Sequence, residues 1–225
     1  MSHEPAADLA ATDLTGRLAR CYTGAIHDVL RDMGHDRFVL PPSVRAIAPG
    51  MTVAGEVWTL SGCIDRTRTP HETLLAWTGF LSKAPEGKVV ICQPHTDEVA
   101  LMGELSAETL QRRGVRGYIV DGGCRDVEFI LKMGFPVFAR FFTPSDIVAR
   151  WIPTAFGETI TIGDVTIHSG DYVLGDRDGV VIVPRGAAAE VVTRALAVAE
   201  TENVMRKAIL GGMDPQTAYL KYGKF

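Results

Sequence analysis

The sequence predicts an α/β domain with helices at both ends, and three observations carry that reading. Its middle alternates short apolar, β-branched runs (KVVICQ, YIVDGG, VFAR) with segments of helical period, the succession that gives a layered α/β fold rather than a helical bundle. From Thr159 onward, TITIGDVTIHSGDYVLGDRDGVVIVPRG strings short β-prone runs between glycine-acid turns, the pattern of an antiparallel meander. Helical stripes bracket both regions, one from Asp13 to Gly34 and one from about Ala187 to Leu210.

Taken in order, residues 1–12 are Ala-rich without a period and are expected to form a loosely held arm. Leu14, Leu18, Ala19, Tyr22, Ile26, Val29, Leu30 and Met33 then recur at helical spacing, and Gly34 is a natural stop. Pro41-Pro42 leads into VRAIAPGMTVAGEVWTL, where Pro49-Gly50 and Gly55 divide apolar runs into what read as short strands with a corner. Thr69–Leu81 reads as a helix, Pro85-Glu86-Gly87 as a turn into KVVICQ, and about Asp97–Arg113 as a second helix. After YIVDGG, Val127–Met133 forms a helix that Gly134 and Pro136 end before VFAR. No linker or repeat divides 13–210, so one domain is expected there, with 211–225 as a C-terminal extension.

Composition narrows the function classes. The chain has 225 residues, 46% of them hydrophobic, and a formal charge of −4. That is ordinary globular usage with no basic field for nucleic acid. No run approaches the ~18 apolar residues a membrane span requires. The first residues lack a basic segment leading into an apolar core, so no secretory signal is read. Cys21, Cys63, Cys92 and Cys124 are scattered without a CxxC pair, consistent with reduced thiols and a cytoplasmic location. Dinucleotide (GxGxxG), phosphate-loop and GxSxG signatures are missing.

The richest stretch is GELSAETLQRRGVRGYIVDGGCRD, Gly103–Asp126. An apolar run delivers two glycines and then Arg125-Asp126 to a strand-to-helix turn, where glycine allows close backbone approach to a ligand. Arg125 can grip a carboxylate through two donors, and Asp126 offers the hard oxygen that Mg²⁺ or Mn²⁺ prefers. An Arg-Asp pair that merely caps a helix fits equally well. Gly103, Glu104, Leu105 and Ser106 present free amides to a carboxylate if a helix begins there, with Glu104 or Ser106 organising substrate or a metal-bound water. Inside an uninterrupted helix over 97–113 those amides would be occupied.

Near the C-terminus, Val191, Ala195, Val198, Glu202, Met205 and Ile209 form a stripe with Glu202 inside it, and Arg206 is the nearest partner for that carboxylate. His95, Asp97 and Glu98 are a weaker metal candidate. His27-Asp28 is a poor catalytic pair because adjacent helical residues do not share a face. DRTRTPHE, Asp65–Glu72, reads as a charged, mobile-looking segment, and GDRDG, Gly175–Gly179, as a β-turn.

GELSAETLQRRGVRGYIVDGGCRDVEFILKMGFPVFAR, with the later VTIHSGDYVLGDRDGVVIVPR, resembles the family of 4-hydroxy-4-methyl-2-oxoglutarate/4-carboxy-4-hydroxy-2-oxoadipate aldolases and regulators of ribonuclease E activity, over Asp13–Leu210. The resemblance implies a compact α/β/β domain, homotrimers or homohexamers, and a divalent-metal-dependent lyase. Such a lyase cleaves a 4-hydroxy-2-oxo acid to pyruvate through an enolate and also decarboxylates oxaloacetate. It implies Asp126 as the metal ligand (Mg²⁺ or Mn²⁺), with Arg125 contacting the 2-oxo acid and its enolate. Gly103, Glu104, Leu105 and Ser106 become the loop receiving the pyruvyl carboxylate, and Glu202 an acid given to a neighbouring subunit's site. The partner it implies is a small oxo acid, with neither nucleic acid nor membrane. One departure stands out: family aldolases follow Arg-Asp with two residues and an acid, whereas here Val127 and Glu128 precede Phe129. A lyase or decarboxylase for another 2-oxo or hydroxy acid, and a non-enzymatic regulator of an RNA-processing enzyme, are the alternatives.

Overall fold

The computed structural model describes residues 14–223; the expected arm at 1–12 lies outside them. A helical turn at 14–18 precedes α1 (Thr23–Asp32). There follow β1 (Arg45–Ala46), β2 (Val53–Ile64), α2 (Pro70–Lys83), β3 (Lys88–Gln93), α3 (Glu104–Arg112), β4 (Gly117–Val120), β5 (Gly123–Cys124), α4 (Val127–Met133), β6 (Val137–Ala139) and β7 (Phe141–Phe142). β8 (Trp151–Phe156), β9 (Ile160–Ile162), β10 (Val165–Ile167), β11 (Tyr172–Gly175), β12 (Val180–Val183), α5 (Ala188–Leu210) and α6 (Pro215–Tyr222) complete the chain.

The main sheet runs β1-β6-β4-β3-β2-β11-β12, parallel from β6 to β2 and antiparallel beyond. β2 organises it. One edge pairs with β3; the other is shared, Val53–Glu56 with β11 and Leu60–Ile64 with β8. The two short strands expected around Gly55 are therefore one twelve-residue strand. Gly55 sits inside it because an added Cβ would come within 3.0 Å of Arg116 Cδ and Val89 Cγ2, so glycine here marks close packing rather than a corner. The register slips at Ser61/Gly62, where a Cβ would meet Trp151 at 2.1 Å. The buried Trp151 indole lies over that glycine and donates to Pro94 O at 2.8 Å.

Three apolar cores set the layers. Trp77, Phe80, Leu110 and Ile130 from α2, α3 and α4 cover the face of Leu60, Val90 and Tyr118. Val89, Ile91, Ile119 and Phe138 point the opposite way, onto Ile160, Ile162, Val165 and Ile167 of the β9–β10 hairpin. This is why KVVICQ reads as a continuous apolar run: its strand is buried on both faces. The expected helix-sheet-sheet stacking is thus present. The terminal helices add a layer, with Ile26 and Leu30 of α1 and Val191, Val192 and Ala195 of α5 packed on Leu174, Val181 and Val183.

Capping explains several boundaries. Tyr22 at the start of α1 offers no side-chain cap; instead Asp176, from the β11–β12 turn, accepts from Thr23 N at 2.8 Å and Thr23 Oγ1 at 2.7 Å. The GDRDG turn therefore anchors a helix. Asp214 caps α6, so the C-terminal extension contains a helix. Residues 97–103 are not helical. The amides of Ala100 and Leu101 bond to Ser145 O at 2.8 Å and Gly123 O at 2.9 Å, and these remote carbonyls replace those of a preceding turn. Among the described residues no helix is long and apolar enough to cross a membrane, and all four cysteines are free thiols.

Candidate functional site

Because α3 begins at Glu104, the first-turn amides of Leu105 and Ser106 have no preceding helical turn to supply carbonyls. Gly103, its N-cap, is extended (φ −147°) and lies against the start of α4: a Cβ there would sit 2.7 Å from Asp126 Oδ2 and 3.2 Å from Arg125 Nε. A side chain at this position would have to displace the Asp126 carboxylate and the Arg125 side chain. Glu104 N donates to Asp126 Oδ2 at 3.1 Å, so Asp126 is a cap after all, for α3 rather than for its own helix. Its Oδ1 makes no hydrogen bond among the described residues. Asp126 holds a left-handed backbone conformation (φ 55°, ψ 34°), uncommon for a non-glycine residue and tolerated best by Asp and Asn.

Arg125 is fixed at its backbone, N to Met102 O at 2.9 Å. Its guanidinium is loosely held, with Nε 3.5 Å from Asp126 Oδ2 and Nη1 3.5 Å from Asp146 Oδ2. Those separations exceed charge-assisted hydrogen-bond lengths, which leaves donors for an incoming anion. Asp146 gave no signal in the sequence. It enters from the loop after β7, where its Oδ1 accepts from Val148 N at 3.1 Å. Ser106 Oγ accepts from Trp77 Nε1 at 2.9 Å and remains free to donate its own proton.

These groups line one cleft of about 480 Å³ between α2 and α3. Leu74, Trp77 and Leu81 from one face of α2, with Ile147 and Val148, give the cleft its apolar lining, and Arg125, Asp126 and Asp146 its charged groups. Cys124, immediately before Arg125, is no nucleophile: burial pushes its thiol up to about 12. Among the described residues no group of three His, Cys, Asp or Glu is arranged to hold a metal ion. With no His or Cys among its lining residues, the cleft offers only carboxylate oxygens, which suit Mg²⁺ or Mn²⁺ rather than Zn²⁺.

The other candidates separate from this cleft. Glu202 lies on α5, where it accepts a hydrogen bond from Tyr22 Oη. Arg206, expected as its partner, turns to Asn203 Oδ1 at 2.6 Å. Burial, then the Glu202 hydrogen bond, push the Tyr22 phenol up to about 12, so it is the donor. Within one chain Glu202 borders a separate shallow groove with Met205, Ile209 and Leu210. His95 bonds Gly62 O through Nδ1 at 2.9 Å and Glu98 pairs with Arg66, so with Asp97 they form no metal group. His27 Nδ1 and Asp28 Oδ1 do meet, at 3.3 Å despite their adjacency, but Asp28 also binds Arg31 at 3.0 Å and both lie away from the cleft.

Within DRTRTPHE the side chains bond one another: Thr67 and Arg68 donate to Asp65, and Thr69 to Glu72. Thr69 and Glu72 form a reciprocal capping box that starts α2. Hydrogen bonds from Thr67, then from Arg68, hold the Asp65 carboxyl down at about 2. Glu128 and Phe129 are exposed and outside the cleft lining, so α4 beyond Asp126 adds no acid to the cleft, and Asp146 is the second acid beside Arg125.

A family model described as RraA-like, aldolase/RraA, matches residues 23–182. The chain belongs to this family. Among curated relatives, protein DlpA of Legionella pneumophila is 26% identical over 211 residues, 93% of this chain; the chain spans only 34% of DlpA. A protein of Halalkalibacterium halodurans named "Putative 4-hydroxy-4-methyl-2-oxoglutarate aldolase" is 29% identical over 151 residues, covering 65% of this chain and 70% of the relative. Among solved structures, RraAS2 of Streptomyces coelicolor, described as an unusual member of the RNase ES inhibitor RraA protein family, superposes with a TM-score of 0.78 at 26% identity. That match covers 87% of this chain and 97% of RraAS2. RraA-like relatives thus carry both aldolase and inhibitor descriptions.

Proposed function

We propose that this RraA-like chain is a divalent-metal-dependent lyase that cleaves a 4-hydroxy-2-oxo acid to pyruvate through an enolate and also decarboxylates oxaloacetate. The observation that carries the reading is the convergence of the α3 first turn, Arg125 and Asp126 on one cleft, and the aldolase name of relatives at this level of identity supports it. In this reading Asp126 holds Mg²⁺ or Mn²⁺, which supplies Lewis-acid stabilisation of charge on the 2-oxo oxygen. The amides of Leu105 and Ser106, with the Ser106 hydroxyl, receive the substrate carboxylate at the positive end of α3. Arg125 offers its guanidinium to the oxygen on which enolate charge develops. The C3–C4 bond breaks with its electron pair passing to C3, the C4 hydroxyl loses its proton and C4 becomes a carbonyl, and the enolate is protonated at C3 to give pyruvate. Glu104, at the rim of the cleft, exchanges protons in these steps. Oxaloacetate loses CO₂ to the same enolate without needing a base for a hydroxyl.

Purified protein is expected to release pyruvate from oxaloacetate and from 4-hydroxy-2-oxo acids with Mg²⁺ or Mn²⁺, and to fall to the uncatalysed background with chelator. Metal-independent rates, or none at all, would sink the lyase reading; none at all would leave the regulator role. Glu202 is assigned to a neighbouring subunit's site in a homotrimer or homohexamer, held by Tyr22 from its own chain. Mixing Asp126→Asn and Glu202→Gln chains under conditions of subunit exchange should then restore activity that neither has alone. Inactive mixed oligomers would remove Glu202 from the chemistry.

A further inference from the structure

Along the helices of this molecule, Thr78, Ser82, Thr109, Thr193 and Thr201 each donate to the carbonyl one turn back, at 2.7 to 3.2 Å, the ordinary way for a helical hydroxyl to place its proton. Ser106 does not. It sits in the first turn of α3, and the carbonyls behind it are already engaged: Met102 O accepts from Arg125 N at 2.9 Å, and Gly103 O accepts from Ala107 N at 3.0 Å. Its oxygen is held from the other side, because Trp77 Nε1 donates to it at 2.9 Å. A serine hydroxyl has two lone pairs and one proton. With one lone pair engaged by the indole, the proton must leave the oxygen in another direction, and both residues line the cleft.

Trp77 is itself fixed. Its ring is buried, tilted on Phe80 with centroids 4.9 Å apart and edge-on to Trp151 at 6.0 Å. One turn earlier on the same face of α2, the buried Thr73 accepts from Ala149 N at 3.1 Å, which ties the helix to the loop carrying Asp146. A buried indole needs an acceptor for its N–H, and a backbone carbonyl suffices, as Pro94 O does for Trp151. Trp77 instead uses a side chain that has a proton of its own to give.

We infer that Trp77 is a positioning residue: by holding the Ser106 oxygen it commits the Ser106 proton to the carboxylate of the bound 2-oxo acid, beside the amides of Leu105 and Ser106. This rests on the lyase reading and adds a residue that acts through Ser106. The carboxylate is bound in the ground state and the transition state alike, so the contact lowers KM and leaves kcat nearly unchanged.

The test is a double-mutant cycle on the full chain with Mg²⁺, read as KM and kcat for oxaloacetate decarboxylation and as Kd for pyruvate by calorimetry. Ser106→Ala should raise KM and Kd roughly tenfold, the scale of one hydrogen bond to a charged group, with kcat within about twofold of wild type. Trp77→Phe, which deletes the N–H, should raise both about three- to tenfold. The double variant should match Ser106→Ala, because the indole then has nothing to hold. A ring that only packs the cleft wall would cost the same factor with or without the serine hydroxyl. Equal effects of Trp77→Phe in the two backgrounds therefore overturn the inference, as do wild-type KM and Kd in folded Trp77→Phe or Ser106→Ala. Where phenylalanine leaves a void that unfolds the protein, Trp77→3-benzothienylalanine keeps the ring shape without the N–H and takes its place in the cycle with the same expectation. Wild-type protein that binds pyruvate but releases none from oxaloacetate overturns the lyase reading alone, and Kd then decides the role of Trp77. Neither binding nor release overturns the two together.

Discussion

Asp126→Asn is expected to reduce metal-supported pyruvate release on the order of a thousandfold, the scale of losing the group that organises electrostatic stabilisation of an oxyanion. The substitution separates chemistry from folding. Asparagine tolerates the left-handed conformation seen at φ 55°, and its amide oxygen can still accept from Glu104 N, which now bonds Asp126 Oδ2 at 3.1 Å. Stability should therefore stay within about 1 kcal/mol of wild type, the scale of one modified cap. What is lost is the negative charge, and with it the ligand for a hard cation. Asp126→Ala is a harsher probe, since it removes the cap of α3 and leaves alanine in a strained conformation, costing roughly 1–3 kcal/mol for the backbone alone. Steady-state rates, Mn²⁺ affinity by titration and thermal unfolding together decide the matter. A folded Asp126→Asn protein that binds Mn²⁺ and turns over like wild type would show that this carboxylate serves only as a cap.

Much of the scaffold was legible because local signals agreed with tertiary needs. The run Thr69–Leu81 read as the helix that became α2, Gly34 marked the end of α1, and the glycine-acid turns the meander. Failures came where remote partners decided. The polar and apolar residues of 97–113 suit a helix, but the amides of Ala100 and Leu101 are claimed by Gly123 and Ser145, whose proximity only the folded sheet creates. Gly55 looked like a breaker because its packing partners, Val89 and Arg116, are distant in sequence. In the cleft, Arg125, Asp126 and the 103–106 turn stood out by residue type and spacing, and the helix start at Glu104 decided one open point, that no preceding turn occupies the amides of 105 and 106. Asp146 was not identifiable. Its loop carries no motif, and only the fold brings it within 3.5 Å of the Arg125 guanidinium. The Tyr22–Glu202 contact, between opposite ends of the chain, was invisible for the same reason.

Gly103→Ala tests whether the approach of α3 to α4 matters for function, and it should lower kcat/KM by roughly 10- to 100-fold, the range for an ångström-scale misplacement of reacting groups. The backbone is not the obstacle: with φ at −147° Gly103 occupies extended space open to any residue. The obstacle is the methyl group. It would stand 2.7 Å from Asp126 Oδ2 and 3.2 Å from Arg125 Cγ and Nε, closer than van der Waals contact allows, so the carboxylate or the helix start must move. Either response breaks the Glu104–Asp126 hydrogen bond and turns the free amides of α3 away from Arg125. Exchanging glycine for alanine at an N-cap costs only several tenths to about 1 kcal/mol, so folding should survive where activity does not. Gly79→Ala is the matched control, since a Cβ there meets nothing within 4 Å, and removing a glycine from the interior of α2 should stabilise by about 0.5–1 kcal/mol. Kinetics, Mn²⁺ titration and melting curves on both variants distinguish the outcomes. Wild-type rates and Mn²⁺ affinity in Gly103→Ala would mean that the reacting groups lie elsewhere; a selective loss of both, with Gly79→Ala fully active, would locate the chemistry at the junction of these two helices.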